Sequence, residues 1–254
     1  MAIFNYNIPT SFLESVGGRE LDLVDLKEDY ENIDSFPLME SDDEIMENSP
    51  YKPVFIVFVQ GQHVWSKVIS MWTDSKWSHA ALCMYPSLSK MYTFNYKPGG
   101  DNGFATEHIS LYQKNNPKIR IGVNAVLIKK DQWQAVRKNL NWYVSHKKET
   151  RYEFANLLRI AFGKIQKAGA NVKMVCSQFV YTILQISNID IGVTTDRPDN
   201  LVSPKDLSVS DKIYSIYEGA CGEYNQSRAT RVLAKVISKL GDGKDDKKEK
   251  SEEK

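Results

Sequence analysis

The 254-residue chain lacks a long apolar run: no stretch approaches the roughly 18 consecutive apolar residues that a membrane-spanning helix needs. Its amino terminus, Met-Ala-Ile-Phe-Asn-Tyr-Asn-Ile-Pro, also lacks the basic region and apolar segment of a signal peptide. An excess of either charge is missing too, since the formal net charge is +1, which gives no whole-chain indication of a nucleic-acid or anionic-membrane partner. We therefore expect a globular protein without a transmembrane segment, located in the cytoplasm or, for a phage-encoded chain, in the virion.

Cysteine is also scarce. The three cysteines, Cys83, Cys176 and Cys221, are widely spaced and odd in number, so they form neither a disulfide framework nor a zinc-ligand spacing. The sequence has no His-x-Glu or Cys-x-x-Cys metal spacing, no glycine-rich phosphate loop, and no platform of aromatic and basic residues for nucleic acid. We therefore expect no metal, no organic cofactor and no nucleic-acid partner.

The patterns that are present divide the chain into four regions. From Arg19 to Glu47 there are twelve acidic and two basic residues, so residues 1–50 are predicted to form an acidic, partly disordered extension. Residues 51–221 carry the strand and helix patterns of one domain. Residues 222–240 are predicted to form an amphipathic helix, and residues 241–254 a disordered charged tail. The acidic extension and the amphipathic helix are the candidate contacts for a protein partner.

Apolar periodicity within the domain predicts a mixture of strands and helices. The continuous apolar run Val54–Val59 is typical of a strand buried on both faces. Strands at 77–85 and 91–96 are predicted to form a hairpin around a turn at 86–90. Asp131 is predicted to cap a helix. Further strands are predicted at 104–111, 119–128 and, at a sheet edge, 212–218, and helices at 64–72, 131–145, 152–165 and from Ser203 to Leu207.

The most informative stretch runs from Val172 to Leu184. Apolar residues such as Phe179 and Ile183 repeat there at helical spacing, and Cys176 stands where this helix is predicted to begin. The first turn of a helix has unpaired N–H groups and a partial positive charge, which stabilise a thiolate and lower the pKa of a thiol. Cys176 is therefore a candidate nucleophile; the alternative is that it is a small buried core residue.

A second stretch, Trp77–Tyr85, places His79 in the middle of an apolar strand, with Trp77 and Ala81 on the same face by alternation. A lone histidine in a strand is usually a satisfied core residue. Together with a cysteine at a helix start, however, it supplies the base and nucleophile that thiol acyl transfer requires. We expect the imidazole to take the thiol proton and later to protonate the leaving group, with N–H groups at the helix start near the oxyanion.

The histidine needs a third polar group to hold its tautomer. Thr93 and Asn95 share one face of the next predicted strand, and either is a candidate. Asn95 is the better candidate, because its amide oxygen is a stronger acceptor with a longer reach. Cys83 and Cys221 are interpreted as structural.

These motifs resemble those of a known family. Trp-Ser-His-Ala-Ala-Leu at 77–82, a hairpin return, and much later Val-Cys-Ser-Gln-Phe-Val at 175–180 look like the circularly permuted NlpC-type papain-like hydrolases. That group includes the YiiX-like proteins and the lecithin retinol acyltransferase relatives. The segment Tyr-Glu-Phe at 152–154 also resembles the family's lead to the nucleophile helix. The resemblance covers roughly residues 51–220, and in both cases the histidine strand precedes the cysteine helix.

The resemblance implies an α+β fold of the papain-like, permuted NlpC type, with a central antiparallel sheet and the nucleophile helix packed on it. It implies that Cys176 is the nucleophile and His79 the general base. The third member in this family is often Glu, His or another polar residue on the following strand, where this chain offers Thr93 or Asn95. The implied reaction is cleavage or transfer at an amide or ester carbonyl through an acyl-thioester, without a metal or organic cofactor.

Three functions are compatible with these observations. The first is a thiol hydrolase of a peptide amide, such as a cell-wall peptide. The second uses the same site on an acyl ester, for example of a lipid, as a hydrolase or acyltransferase. The third is a catalytically degenerate papain-like domain that serves as a scaffold or as a phage structural or assembly component.

Overall fold

A computed structural model describes residues 51–61, 75–95, 102–152, 173–193 and 202–237. The strands are β1 Tyr51–Val59, β2 His79–Cys83, β3 Met91–Asn95, β4 Gly103–Glu107, β5 Arg120–Lys129, β6 Arg151–Tyr152, β7 Lys173–Met174 and β8 Tyr214–Ala220. The helices are α1 Ile109–Asn115, α2 Lys130–Ser145, α3 Cys176–Ile186, α4 Pro204–Ser208 and α5, which includes residues 226–237. Short 3₁₀ turns lie at Lys147–Glu149 and Cys221–Glu223.

Six of the strands form one antiparallel sheet in the order β4-β3-β2-β1-β5-β8. A separate two-stranded parallel sheet joins β6 to β7, with Tyr152 opposite Met174. This small sheet brings the chain that follows α2 next to the residues that lead into α3. The fold is therefore α+β with a central antiparallel sheet, and α3 packs on β2 and β3 of that sheet.

Strand β1 lies in the middle of the sheet because its residues are apolar on both faces. Val54, Ile56 and Phe58 belong to one buried apolar cluster, and Phe55 and Val57 belong to a second cluster on the other face. All five are fully buried. The prediction of a strand buried on both faces is confirmed.

Helices cover both faces of the sheet. The first cluster contains Val136 and Leu140 of α2 and Phe179 and Ile183 of α3. The second cluster contains buried residues of α1 and α5, among them Leu233. The amphipathic pattern in the carboxyl-terminal region thus reflects a helix that packs on this domain.

Several other predicted elements are confirmed. Strands β2 and β3 form the expected hairpin, β5 and α2 cover the predicted ranges to within two residues, and β8 is the edge strand. Helix α4 begins after Ser203, whose side chain accepts a hydrogen bond from the backbone N–H of Asp206 at 3.2 Å. A serine followed by proline at the first helical position is a strong signal for the start of a helix, so this short helix could be predicted from the sequence.

Three local predictions are wrong. The strand expected at 104–111 ends at Glu107, and α1 follows, with the His108 side chain accepting from the Ser110 N–H as its cap. Helix α2 begins one residue earlier than expected, with Lys129 rather than Asp131 as its N-cap. His79 is the first residue of its strand rather than a middle one.

Trp77 also departs from the expected alternation, because it precedes β2. It packs in the first apolar cluster and stacks on Phe58 with ring centroids 5.9 Å apart, whereas Ala81 belongs to the second cluster. Gly122 makes room for this indole, since a Cβ there would lie 2.8 Å from Cζ2 of Trp77.

Some predictions fall outside the described residues: the acidic extension 1–50, the helix at 64–72, the tail 241–254, and the helix at 152–165 beyond Tyr152. The domain boundaries stay predictions. In the described part of the chain, none of the helices has the length and apolar character needed to cross a membrane.

Candidate active site

Cys176 is the first residue of α3, as predicted. Val175 precedes it in an extended conformation, and the buried Gln178 side chain accepts a hydrogen bond from the Val175 N–H at 3.1 Å. This bond fixes the entry of the chain into the helix, in the manner of a capping residue that reaches back from the first turn. The cysteine is 6% exposed, so its sulfur lies in a confined position at the helix start.

Three groups act on the thiol of Cys176 and favour its charged form. They are the His79 side chain and the backbone N–H groups of Ala80 and Ser177. Burial alone would raise the pKa of the thiol, but the charge of His79 and these hydrogen bonds outweigh it, so the pKa is lower than usual. A thiolate held in this way is a nucleophile near neutral pH.

His79 contacts Cys176 from the start of β2. The neighbouring Ser78 is anchored on both sides: its hydroxyl accepts from the Gly61 N–H at 2.8 Å, and its own N–H donates to the Val59 carbonyl at 3.1 Å. The histidine is thereby fixed at the end of the sheet where β2 begins. Its side chain is 16% exposed, which leaves an edge of the imidazole accessible.

After Cys176 and His79, the third group of the candidate site is Glu107, the last residue of β4. Its Oε2 lies 3.4 Å from Nε2 of His79, and its side chain is 2% exposed. Burial would raise the pKa of Glu107, but the charge of His79 and hydrogen bonds from His79, Tyr112 and Asn95 lower it. Burial would likewise lower the pKa of His79, but the charges of Glu107 and Cys176 raise it well above the ordinary value. The contacts favour the charged form of all three groups: the carboxylate of Glu107, the imidazolium of His79 and the thiolate of Cys176.

Thr93 also lies against the imidazole, with Oγ1 3.3 Å from Nε2 of His79. Its hydroxyl donates to the Ala80 carbonyl at 2.8 Å, so the lone pairs of Oγ1 are left to accept from His79. Nε2–H of His79 thus has two acceptors, Thr93 and Glu107. This assigns the proton to Nε2 in the neutral ring and leaves Nδ1 for the sulfur of Cys176.

The structure brings Cys176, His79 and Thr93 together but places Asn95 elsewhere. The sequence favours Asn95 over Thr93 as the hydrogen-bond partner of the histidine. Instead, its Nδ2 donates to Oε1 of Glu107. Asn95 therefore bonds to Glu107, and Glu107 in turn contacts the imidazole of His79.

Glu107 lies on β4 rather than on β3, the strand next to that of His79, so the pattern of β3 does not point to it. It pairs with Met91 in the register of β3 and β4, and its Oε2 lies 3.4 Å from Nε2 of His79. One sequence signal was available: Glu107 ends the otherwise uncharged strand Gly-Phe-Ala-Thr-Glu. A buried carboxylate in such a strand requires a charged or hydrogen-bonding partner, which marks it as a candidate.

The remaining cysteines lie apart from this site. Cys83 is buried on β2, where its single S–H faces the carbonyls of Tyr85 and Lys90, each 3.2 Å from the sulfur. Cys221 is fully buried, and burial raises the pKa of its thiol to about 12. Within the ranges that the structure describes, no group of three or more His, Cys, Asp and Glu side chains is arranged to hold a metal ion.

No family model and no curated protein matches this chain. Five chains of solved structures do match. One is the crystal structure of the metalloprotein YiiX from Escherichia coli O157:H7, which is 14% identical over 67% of this chain and 99% of its own, with a TM-score of 0.41. At that level the YiiX structure assigns neither a family nor an activity to this chain.

Proposed function

We propose that this protein is a thiol hydrolase that cleaves an amide, such as that of a peptide, through an acyl-thioester on Cys176. The observation that carries the proposal is that His79 interacts with both other groups: with the thiol of Cys176 and with the carboxylate of Glu107. A nucleophile hydrogen-bonded to a base, with the base held by a third group, is the arrangement that acyl transfer requires. We further propose that the domain is papain-like and permuted, since the histidine strand precedes the cysteine helix.

The chemistry follows from the positions of the groups. The thiolate of Cys176 attacks the substrate carbonyl, and the oxyanion forms near N–H groups of the first turn of α3, including that of Cys176 itself. The imidazolium of His79 gives its proton to the leaving amine, and the C–N bond breaks to leave the thioester. His79, now neutral, takes a proton from water, which attacks the thioester and releases the acid and the thiolate.

The role of Glu107 in this cycle is electrostatic and orienting. Its carboxylate stabilises the imidazolium while the thiolate forms, and it keeps the ring turned so that Nδ1 faces Cys176. Thr93 supports the same orientation through its hydroxyl. Neither residue needs to exchange a proton during the reaction.

A thiol-reactive probe tests the proposal without knowledge of the substrate. We expect iodoacetamide near neutral pH to label Cys176 selectively, because Cys83 and Cys221 are fully buried. Labelling should be slowed about tenfold or more in His79→Ala, since the thiolate loses its counter-charge. The control is Cys83→Ala/Cys221→Ala, which should label like the wild type. Labelling of Cys176 that ignores His79, or labelling confined to Cys83 and Cys221, would overturn the proposal and favour the scaffold reading.

Substrate profiling then separates an amide from an acyl ester. The protein is incubated with peptide and ester acyl donors, and the intact mass of the chain is recorded. A mass increase equal to the acyl group, absent in Cys176→Ser, identifies the class that forms the thioester. Turnover of esters alone would replace the amide by an acyl ester as the substrate.

A further inference from the structure

Both oxygens of Glu107 are held by neutral donors in addition to the contact with His79. The amide Nδ2 of Asn95 donates to Oε1, and the phenol of Tyr112 donates to Oε2 at 2.7 Å. Oε2 is also the oxygen that lies 3.4 Å from Nε2 of His79. The carboxylate is thus gripped from β3 on one side and from α1 on the other.

This arrangement suits an ionised carboxylate in a buried position. The Glu107 side chain is 2% exposed, so bulk solvent has little access to its charge. A carboxylate that accepts several hydrogen bonds keeps its charge at lower pH than a free one. The groups that face it are His79, Tyr112 and Asn95, and Cys176 is reached only through His79.

Tyr112 can act as a fixed donor because α1 is tied down along its length. The Ile109 N–H donates to the Leu88 carbonyl at 3.1 Å, and Nε2 of Gln113 donates to the Cys221 carbonyl at 3.2 Å. Ile109 is buried in the second apolar cluster. The phenol is therefore positioned by a helix that contributes no reacting group.

We infer that Asn95 and Tyr112 are positioning residues that hold Glu107 in place, so that it faces His79 and stabilises the Cys176–His79 ion pair. This inference rests on the proposed function. It assigns to Asn95 a role through Glu107 rather than on the imidazole, and it adds Tyr112 to the residues that support the reaction.

The test is the pH dependence of Cys176 alkylation in Tyr112→Phe and Asn95→Ala. Each change removes one hydrogen-bond donor to Glu107 and leaves the side chains of Cys176, His79 and Glu107 unchanged. The carboxylate of Glu107 is then protonated at a higher pH. The thiolate–imidazolium pair, which depends on its charge, is therefore lost at a higher pH than in the wild type. We expect the acid limb of the rate profile to move up by about one pH unit, or about a tenfold slower reaction on that limb.

A double-mutant cycle separates this role from a general loss of structure. In a Glu107→Gln background, Tyr112→Phe should cause no further change in the profile, because its effect acts through the carboxylate. Tyr217→Phe is the matched control: its phenol donates to the Ala220 carbonyl on β8, and its loss should leave the profile unchanged.

The outcomes distinguish this inference from the proposed function. If wild-type Cys176 reacts in a His79-dependent manner but the Tyr112→Phe and Asn95→Ala profiles superimpose on the wild type, the positioning role is overturned and the proposed function stands. If Tyr112→Phe has the same effect with and without Glu107, the phenol acts elsewhere and the inference fails. Should Tyr112→Phe not fold, Asn95→Ala carries the same test.

Discussion

Oε2 of Glu107 lies 3.4 Å from Nε2 of His79, although β3 separates their two strands. Glu107 pairs with Met91 in the register of β3 and β4, and its other oxygen, Oε1, accepts a hydrogen bond from Nδ2 of Asn95 on β3. The contact supplies a negative charge to a ring that also interacts with the Cys176 thiol and with the hydroxyl of Thr93. It makes Glu107 the strongest candidate for the group that sets the charge and tautomer of the histidine.

The first prediction concerns that charge. We expect Glu107→Gln to lower the pKa of His79, because the nearby carboxylate stabilises the imidazolium. The measurement is an NMR titration of the histidine ring protons, with the His79 signal assigned from its loss in His79→Ala.

Glu218→Gln is the control for this titration. Glu218 pairs with Lys76 at 2.7 Å and Arg120 at 3.3 Å on the surface of the sheet, so its removal also deletes a carboxylate but one directed elsewhere. Its variant should leave the His79 titration unchanged. An unaltered His79 pKa in Glu107→Gln would show that the carboxylate does not act on the ring.

The second prediction concerns Trp77 and Gly122. An alanine at 122 would put its Cβ 2.8 Å from Cζ2 of Trp77, an indole that is 4% exposed and stacked on Phe58. We expect Gly122→Ala to reduce the free energy of unfolding by about 1 to 3 kcal/mol, as overpacking does in other cores. It should also slow alkylation of Cys176, since the displaced segment leads directly into His79. Urea unfolding followed by tryptophan fluorescence measures the first effect.

Rescue shows whether the clash is the cause. In Gly122→Ala/Trp77→Phe the smaller phenyl ring leaves space for the methyl group. Trp77→Phe should therefore reduce the free energy of unfolding by less in the Gly122→Ala background than in the wild type. Additive losses would place the cost of Gly122→Ala in the strand itself rather than in the indole.

The third prediction concerns His108, the cap of α1. Its Nδ1 accepts from the Ser110 N–H at 3.0 Å, and burial lowers the pKa of His108. The unfolded chain therefore binds this proton at higher pH than the folded chain does. The folded state should lose stability as the pH falls below the ordinary histidine value of about 6.5, until His108 is protonated in the folded state as well.

Two substitutions isolate this effect. His108→Asn keeps a side-chain acceptor that does not titrate, so its stability relative to the wild type should improve as the pH falls. His108→Ala removes the cap as well and should be less stable than His108→Asn by about 1 kcal/mol at every pH. Urea unfolding at neutral and acidic pH measures both, and a wild-type-to-Asn difference that stays constant with pH would contradict the prediction.

Much of the fold could be predicted because its signals are local. The apolar run of β1, the helical spacing after Cys176 and the Ser203-Pro204 start of α4 each specify an element within a few residues. The end of β4 could not be predicted in this way. Its last residues and those of α1 both include apolar positions, and the helix begins at a histidine, an uncommon cap.

The site was predictable only in part for a related reason. Cys176 and His79 stand in patterns that reveal their elements, and the chemistry pairs them. The partner of His79 depends on how β4 aligns with β3 and on the length of a glutamate side chain, which no local pattern encodes. Asn95 donates to Glu107, a partner that the sequence does not reveal because it requires the position of a carboxylate on another strand.

The last prediction tests the other acceptor of His79. Thr93 is fully buried, donates to the Ala80 carbonyl at 2.8 Å and lies 3.3 Å from Nε2 of His79. Thr93→Val keeps the shape but leaves that carbonyl without its hydroxyl donor and removes an acceptor from the imidazole. We expect a loss of about 1 to 3 kcal/mol in the free energy of unfolding, together with slower alkylation of Cys176. Thr93→Ser retains the hydroxyl and should lose only the smaller packing contribution of one methyl group. Equal alkylation rates in Thr93→Val and Thr93→Ser would mean that Glu107 alone orients the ring, and that Thr93 serves the Ala80 carbonyl only.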